Sequence, residues 1–82
     1  MIVCCVLDRK AGFDGLQVFT NEDIAKRNFA YAINQAGIPN YAPSDFEFYK
    51  IGEFDPKTGT IKGLQVPELL MNGLDCVGDY NA

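Results

Sequence analysis

The sequence predicts one α+β domain over residues 1–82, a small antiparallel sheet of about four strands with one main helix packed on one face. Two observations support this fold class. Pairs of strand-like segments, each joined by a turn, stand on both sides of one segment with helical periodicity. A chain of 82 residues also has the length of a single domain. A short helix is expected after the last strand, so the predicted order is β-β-α-β-β-α.

The first two strands are predicted from apolar patterning. Ile2–Leu7 is a continuous apolar run, which is typical of a central strand buried on both faces. The polar turn Asp8–Gly12 ends this run. Leu16, Val18 and Thr20 then alternate with their neighbours, which predicts a second strand. The two strands are expected to form a hairpin.

The main helix is predicted over Asp23–Ala36. Thr20 or Asn21 can cap its first turn, and a C-terminal stop follows at Gly37. Helical spacing places one apolar stripe on the face toward the sheet, formed by Ala25, Phe29, Ala32, Ile33 and Ala36.

The second half of the chain is predicted to add two strands and a short helix. In chain order these are a loop over Ile38–Ser44, a strand over Phe46–Phe54 with a bulge or bend near Gly52, a turn over Asp55–Gly59, a strand over Thr60–Val66 and a helix that begins at Pro67. Pro and Gly make Asp55–Gly59 a strong turn signal.

The predicted core gathers the inward positions of these elements. They are Val3, Cys5, Leu7, Val18, Ala25, Phe29, Ile33, Phe48, Ile51, Phe54, Ile61 and Leu70. One helix covers only one sheet face, yet Tyr49 and Ile51 make the other face apolar too. An uncovered apolar face usually meets a partner, so we expect a homodimer through the face or edge that carries these two residues. The alternative is a monomer in which the loop Ile38–Ser44, with Tyr41, covers that face.

The inventory of reactive side chains argues against catalysis. The chain has no His and three Cys, which excludes His-based triads, His-ligated metals and four-thiolate zinc sites. Carboxylates are scattered, and no Gly-rich phosphate loop is present. We therefore expect no enzyme activity, no metal and no cofactor, with Cys4, Cys5 and Cys76 as small core residues. No stretch approaches the roughly 18 apolar residues of a membrane helix, so no membrane partner is expected.

The charge balance argues against strong, nonspecific nucleic-acid binding. Seven basic and eleven acidic residues give a net charge of −4, whereas such binders neutralise phosphates. A local patch remains compatible with this balance. The candidate nucleic-acid-binding residues are Arg9, Lys10, Lys26, Arg27, Tyr49 and Lys50, with Phe13 near the first basic pair. The alternative interpretation is a solvated charged face beside ordinary core aromatics.

Three motifs in this sequence resemble those of a known family. The segment Pro43–Gly59, PSDFEFYKIGEFDPKTG, is similar to a family pattern P-x-D-F-x-L-Y-x-I-G-x-F-D-x-x-T-G. Asp8–Ala11 resembles an early D-x-K-A motif, and Ala25–Phe29 resembles a helical A-x-R-x-F motif. The family is the small nonstructural protein of gokushovirus-type microviruses, which are single-stranded DNA phages. Phe48 departs from the pattern, where Leu is frequent.

The resemblance implies a function that composition does not. It implies a nonstructural phage protein in the host bacterial cytoplasm, commonly described as DNA-binding, that acts in viral genome synthesis or packaging. Single-stranded DNA is then the expected ligand, bound weakly because the chain is acidic. The alternative is a protein-interaction module that docks a replication initiator, a host replication factor or the procapsid, without direct DNA binding.

Overall fold

The computed structural model describes residues 1–35 and 43–76. Their elements are β1 (Ile2–Asp8), β2 (Gly12–Phe19), α1 (Glu22–Gln35), a 3-10 turn (Pro43–Asp45), β3 (Phe46–Asp55), β4 (Thr60–Asn72) and α2 (Gly73–Cys76). The strands form one antiparallel sheet in the order β2-β1-β3-β4. This architecture confirms the predicted α+β class and the predicted order of elements.

β1 is an interior strand, as its continuous apolar sequence predicts. It pairs with β2 along one edge and with β3 along the other. Val3, Cys4 and Cys5 are consecutive and all buried, although their side chains alternate between the two sheet faces. A strand buried on both sides needs apolar residues at every position, which explains the absence of polar alternation in this segment.

α1 begins at the cap that the sequence predicts. The Asn21 side-chain oxygen accepts a hydrogen bond from the Ile24 backbone N–H at 2.9 Å, and the Asn21 carbonyl accepts one from Ala25 at 3.1 Å. These contacts satisfy donors that the first helical turn leaves unpaired. Near the other end, Asn34 donates to the Cys76 carbonyl at 2.9 Å and joins α1 to α2. The predicted stop at Gly37 and most of the predicted loop Ile38–Ser44 lie outside the described residues.

The core lies between α1 and one face of the sheet. The rings of Phe29 and Phe48 stack with centroids 4.7 Å apart and planes 10° apart, and Phe19 meets Phe48 edge-on at 6.2 Å. Ala25 and Cys4 are fully buried beside them. These three rings are the largest side chains among the buried residues of the core cluster.

Most of the predicted core positions are at least half-buried. Val3, Cys5, Ala25, Phe29 and Phe48 are buried, and Leu7, Ile33, Ile51, Phe54 and Leu70 are partly buried. The core predictions for Val18 and Ile61 are wrong, because these side chains are 42% and 60% exposed. Phe19 takes the inward position on β2, so its neighbour Val18 alternates to the opposite face. Ile61 lies on the edge strand β4, beyond the reach of the helix.

β3 contains the irregularity that the sequence predicts near Gly52. On β1, Val3 pairs with Gly52 and the next residue, Cys4, pairs with Lys50. Ile51 is therefore an extra residue, which forms a β-bulge.

The helix predicted to begin at Pro67 is wrong. Pro67 lies inside β4, and the final helix, α2, spans only Gly73–Cys76. Beyond Pro67, β4 pairs again with β3, where Leu69 lies opposite Tyr49 and Met71 opposite Phe48. An edge strand tolerates a residue that lacks an N–H, so these cross-strand contacts override the local helix signal. A bulge of residues 64–67 separates the two paired parts of β4.

No helix among residues 1–35 and 43–76 is long and apolar enough to span a membrane.

Truncation of Phe29 tests the central ring stack. Phe29→Ala is expected to lower the free energy of unfolding by about 3–5 kcal/mol, since it leaves a cavity against Phe48. Urea unfolding followed by circular dichroism measures this change. Ile24→Ala on the same helix is the control, because Ile24 is 45% exposed and its loss should cost well under half as much. Equal stability of wild type and Phe29→Ala would contradict the assignment.

Gly73 tests the close approach of α2 to the 3-10 turn. A Cβ atom at Gly73 would lie 2.0 Å from the Pro43 carbonyl oxygen and 3.1 Å from the Phe46 carbonyl oxygen. Gly73→Ala must separate two backbone segments, so we expect a loss of about 1–3 kcal/mol or more in thermal or urea unfolding. Gly63→Ala is the control, since its Cβ would meet no atom nearer than 4.0 Å. Similar stability of the two variants would refute the tight packing of α2.

Candidate nucleic-acid interface on the open sheet face

The sheet has one face toward α1 and one face away from it. Ile2, Cys4 and Val6 of β1 pack with the helix, so the alternate residues of the strand point the other way. We call this second surface the open face and define it by the side chains that the register places there. They are Val3, Cys5, Leu7, Phe13, Leu16, Val18, Glu47, Tyr49, Phe54, Ile61, Leu69 and Asn72.

The open face is mainly apolar and much of it is exposed. Phe13 is 53% exposed, Leu16 is 61% exposed and Leu69 is 47% exposed. Across the strands, Tyr49 lies between Cys5 on β1 and Leu69 on β4. The sequence placed Tyr49 and Ile51 on a common face, but Ile51 is the extra residue of the bulge.

A connected group of polar and aromatic side chains occupies one end of the open face. The Arg9 guanidinium donates to one carboxylate oxygen of Glu47 at 2.6 Å, and the Tyr49 hydroxyl donates to the other at 3.1 Å. The Phe13 ring meets the Tyr49 ring edge-on, with centroids 5.6 Å apart. We call Arg9, Phe13, Glu47 and Tyr49 the aromatic–arginine cluster. It presents ring surfaces beside a cation, which is what base stacking next to a phosphate requires.

Local structure explains the position of Arg9. It follows β1 in the turn to β2, where its backbone N–H donates to the Asp45 carbonyl at 2.9 Å. The next residue, Lys10, forms an ion pair with the Asp45 carboxylate at 3.6 Å. The turn is therefore anchored to the 3-10 segment before β3, and the arginine side chain reaches across to Glu47.

The contacts within the cluster fix its charges. The Arg9 hydrogen bond lowers the pKa of Glu47 below its ordinary value of 4.5, against an opposing effect of burial. Burial, followed by the hydrogen bond to Glu47, raises the pKa of Tyr49 above 10.0. At neutral pH Glu47 is therefore ionised and Tyr49 is a neutral donor. The Glu47 charge balances that of Arg9, which leaves the cluster close to neutral.

The structure brings together only some of the predicted DNA-binding residues. Arg9, Lys10 and Tyr49 lie at one end of the sheet. Lys50 follows Tyr49 directly, so its side chain points to the helix-bearing face, where it pairs with Glu53 at 3.3 Å. Lys26 lies on α1 and pairs with Glu22 at 3.1 Å.

Arg27 is exposed on α1, next to Lys26 and away from the open face. The predicted residues therefore fall on separate surfaces, and the structure does not assemble them into one basic patch.

Most residues of the open face were missed as functional candidates in the sequence, among them Leu16, Val18, Glu47 and Leu69. Glu47 bonds Arg9 across 38 positions of sequence, which no local pattern reveals. Val18 was assigned to the core because its alternation with Phe19 fits either face equally well. Phe13 was noted as an aromatic near Arg9 and Lys10, and it does lie in the same cluster as Arg9.

The three thiols are buried and none is in a disulfide. Burial, followed by the nearby Cys5, raises the pKa of Cys4 to about 11. Burial also raises the pKa of Cys5. Both thiols stay protonated at neutral pH, which suits core residues and makes poor nucleophiles. In residues 1–35 and 43–76 no three acidic, Cys or His side chains converge on one point.

A family model described as Phage ORF5 protein matches residues 1–76. No curated protein and no solved structure matches the chain.

The Arg9–Glu47 pair predicts a pH-dependent stability difference. Arg9→Gln should lower the melting temperature at pH 7, because it leaves the buried Glu47 carboxylate with only the Tyr49 hydroxyl as a side-chain partner among the described residues. Glu47 has a lowered pKa in the folded state, so its stabilising effect is complete above about pH 4.5 and is lost as the pH falls through that lowered pKa.

The melting temperatures of wild type and Arg9→Gln should therefore converge in acid, as thermal melts from pH 7 to pH 3 would show. Arg27→Gln is the control, since no ion pair of Arg27 occurs among the described residues. A difference between wild type and Arg9→Gln that does not change with pH would contradict the role of this ion pair.

Proposed function

The chain belongs to the Phage ORF5 protein family, and from this premise we propose that it is a nonstructural accessory protein that binds single-stranded DNA. Its role falls in viral genome synthesis or packaging inside the infected bacterium. The motif resemblance to the small nonstructural protein of gokushovirus-type microviruses supports this role. The genome of such a phage is itself single-stranded DNA, so this ligand is present during infection.

The aromatic–arginine cluster is the observation that carries the proposal. Phe13 and Tyr49 are in contact on a sheet face that no helix covers, and Arg9 lies at the end of the same surface. Single-stranded nucleic acids bind to such surfaces by stacking bases on aromatic rings while cations contact the phosphates. Phe13 offers the more accessible ring, at 53% exposed.

The charges predict weak, salt-sensitive binding. The chain carries a net charge of −4, and both Arg9 and Lys10 already pair with carboxylates. Phosphates must compete with Glu47 and Asp45 for these cations. Each phosphate contact contributes about 0.7 to the salt slope on single strands, so two contacts give a slope of roughly 1.4. Stacking then supplies most of the affinity, and we expect dissociation constants in the micromolar range or weaker.

A protein-interaction module is the second candidate function, and the rest of the open face favours it. Leu16, Val18 and Leu69 lie beyond the cluster and are 42 to 61% exposed. Apolar side chains without cations beside them suit a protein partner better than a phosphate backbone. On this reading the chain docks a replication initiator, a host replication factor or the procapsid. Both candidates are binding functions, and we propose no catalytic role for a chain without histidine.

Titration with labelled oligothymidine tests the DNA-binding proposal. We expect a rise in fluorescence polarisation with wild-type protein that weakens when salt increases. Phe13→Ala should weaken binding by about 5- to 150-fold, since one stacked base contributes about 1–3 kcal/mol. Tyr31→Ala is the matched control, because Tyr31 is a 46% exposed aromatic on α1 and should not change the affinity.

A double variant separates this surface from the basic pair on α1. Lys26→Gln with Arg27→Gln should retain most of the affinity if DNA lies on the open face. Loss of binding in that double variant, with normal binding by Phe13→Ala, would place the site on α1 instead. No binding by wild type at low salt would reject the DNA-binding function and leave the protein-interaction module.

A further inference from the structure

We propose that a second copy of this chain covers the open face in the free protein, which makes it a two-fold symmetric homodimer. An exposed apolar face of this kind usually marks an interaction site. Five large apolar side chains of the open face are 42 to 61% exposed: Phe13, Leu16, Val18, Ile61 and Leu69. Three of them lie on β2 and two on β4, the outer strands of the sheet, and the open-face residues of β1 and β3 lie between them.

The area of the open face matches what a dimer needs. At roughly 100 Å² for each half-exposed large side chain, these five present on the order of 500 Å² of apolar surface. Half-buried neighbours such as Leu7, Tyr49 and Phe54 add to it. The chain measures 42 × 28 × 15 Å along its principal axes, so its broad side has room for the roughly 800 Å² per partner of a standard interface.

The charges of the open face also permit burial. Glu47 is the one side-chain carboxylate that the register places there among the described strand residues, and Arg9 neutralises it at 2.6 Å. The second carboxylate oxygen accepts the Tyr49 hydroxyl. Burying a charge is costly when it lacks a partner, and here the partners lie within the same subunit. A second copy can therefore close over this face without leaving an unpaired side-chain charge.

The edges of the sheet favour contact through the face over strand addition. β4 is one edge, where Pro67 lacks an N–H and the bulge of residues 64–67 interrupts the ladder. β2 is the other edge, and its register shifts between Gln17 and Asp14. Bulges and proline are features that discourage edge-to-edge pairing. A two-fold axis through the open face is then the simplest closed arrangement, because the same surface serves both subunits.

A dimer of this kind competes with DNA. This consequence rests on the proposed function, because the rings of Phe13 and Tyr49 lie inside the same surface. A base stacked on these rings and a second copy cannot occupy the open face together. By linkage, DNA then dissociates the dimer, and a higher protein concentration weakens the apparent affinity for DNA. Self-association would thus restrict binding to conditions in which single-stranded DNA is abundant.

Sedimentation equilibrium tests the interface without DNA. Wild type at tens of micromolar should show the dimer mass. Leu16→Asp and Leu69→Asp should each shift the dimer dissociation constant by at least about tenfold, because both place a charge on the exposed apolar face. Ile24→Asp is the matched control, since Ile24 is 45% exposed on α1 and its variant should remain dimeric. Circular dichroism melts verify that the variants are folded.

The outcomes separate the two proposals. A monomer mass for the wild type would overturn the proposed interface, whether or not the protein binds DNA. Loss of the dimer in Ile24→Asp, with no loss in Leu16→Asp or Leu69→Asp, would overturn it as well. With the dimer established, addition of oligothymidine should yield a complex of one subunit with DNA. A dimer that keeps its mass with DNA bound would overturn the competition while DNA binding stands. Absence of binding in low-salt polarisation titrations, carried to protein concentrations well above the micromolar dissociation constant expected for DNA, would reject the DNA function and the competition, and would leave the interface supported.

Discussion

The stack of Phe29 on Phe48 is the interaction on which the rest of this structure depends. It joins α1 to an interior strand of the sheet, with centroids 4.7 Å apart, and Phe19 closes the same group from β2. Helix, hairpin and sheet thus meet at one aromatic residue of β3. Residues 1–35 and 43–76 contain no second large apolar cluster that could fix the helix if that contact were lost.

This contact also determines which side chains lie on the sheet face opposite α1. Side chains alternate along a strand, so the inward position of Phe48 directs Glu47 and Tyr49 outward, and Phe19 does the same for Val18. The open face is therefore a direct consequence of the core register. Its apolar character follows from β1, whose consecutive apolar residues supply both sides. The arrangement leaves a binding surface on the same strands that hold the core together.

The sequence was informative wherever the signal was local. The cap at Asn21, the periodicity through Ala25 and Phe29, and the apolar run of β1 each act within a few residues, and the fold class followed from them. The face to which each β2 side chain points could not be predicted, because Val18 and Phe19 are both apolar. Only contact with α1 in the folded protein distinguishes the inward Phe19 from the outward Val18. Pro67 was misassigned since pairing with β3 outweighed a helix-start signal. The Arg9–Glu47 pair could not be predicted either, because the two residues are far apart in the sequence and meet only in the folded protein.

The three thiols lie in different layers of the structure, so their reactivity can report how often each layer opens. Cys4 and Cys5 are neighbours in one strand, yet one belongs to the layer beneath α1 and the other to the open face, while Cys76 lies on α2. A thiol reacts as the thiolate, and burial suppresses both access and ionisation. Alkylation at each site therefore measures how often its own layer opens, so one wild-type chain yields separate opening rates for the two sides of the sheet and for α2.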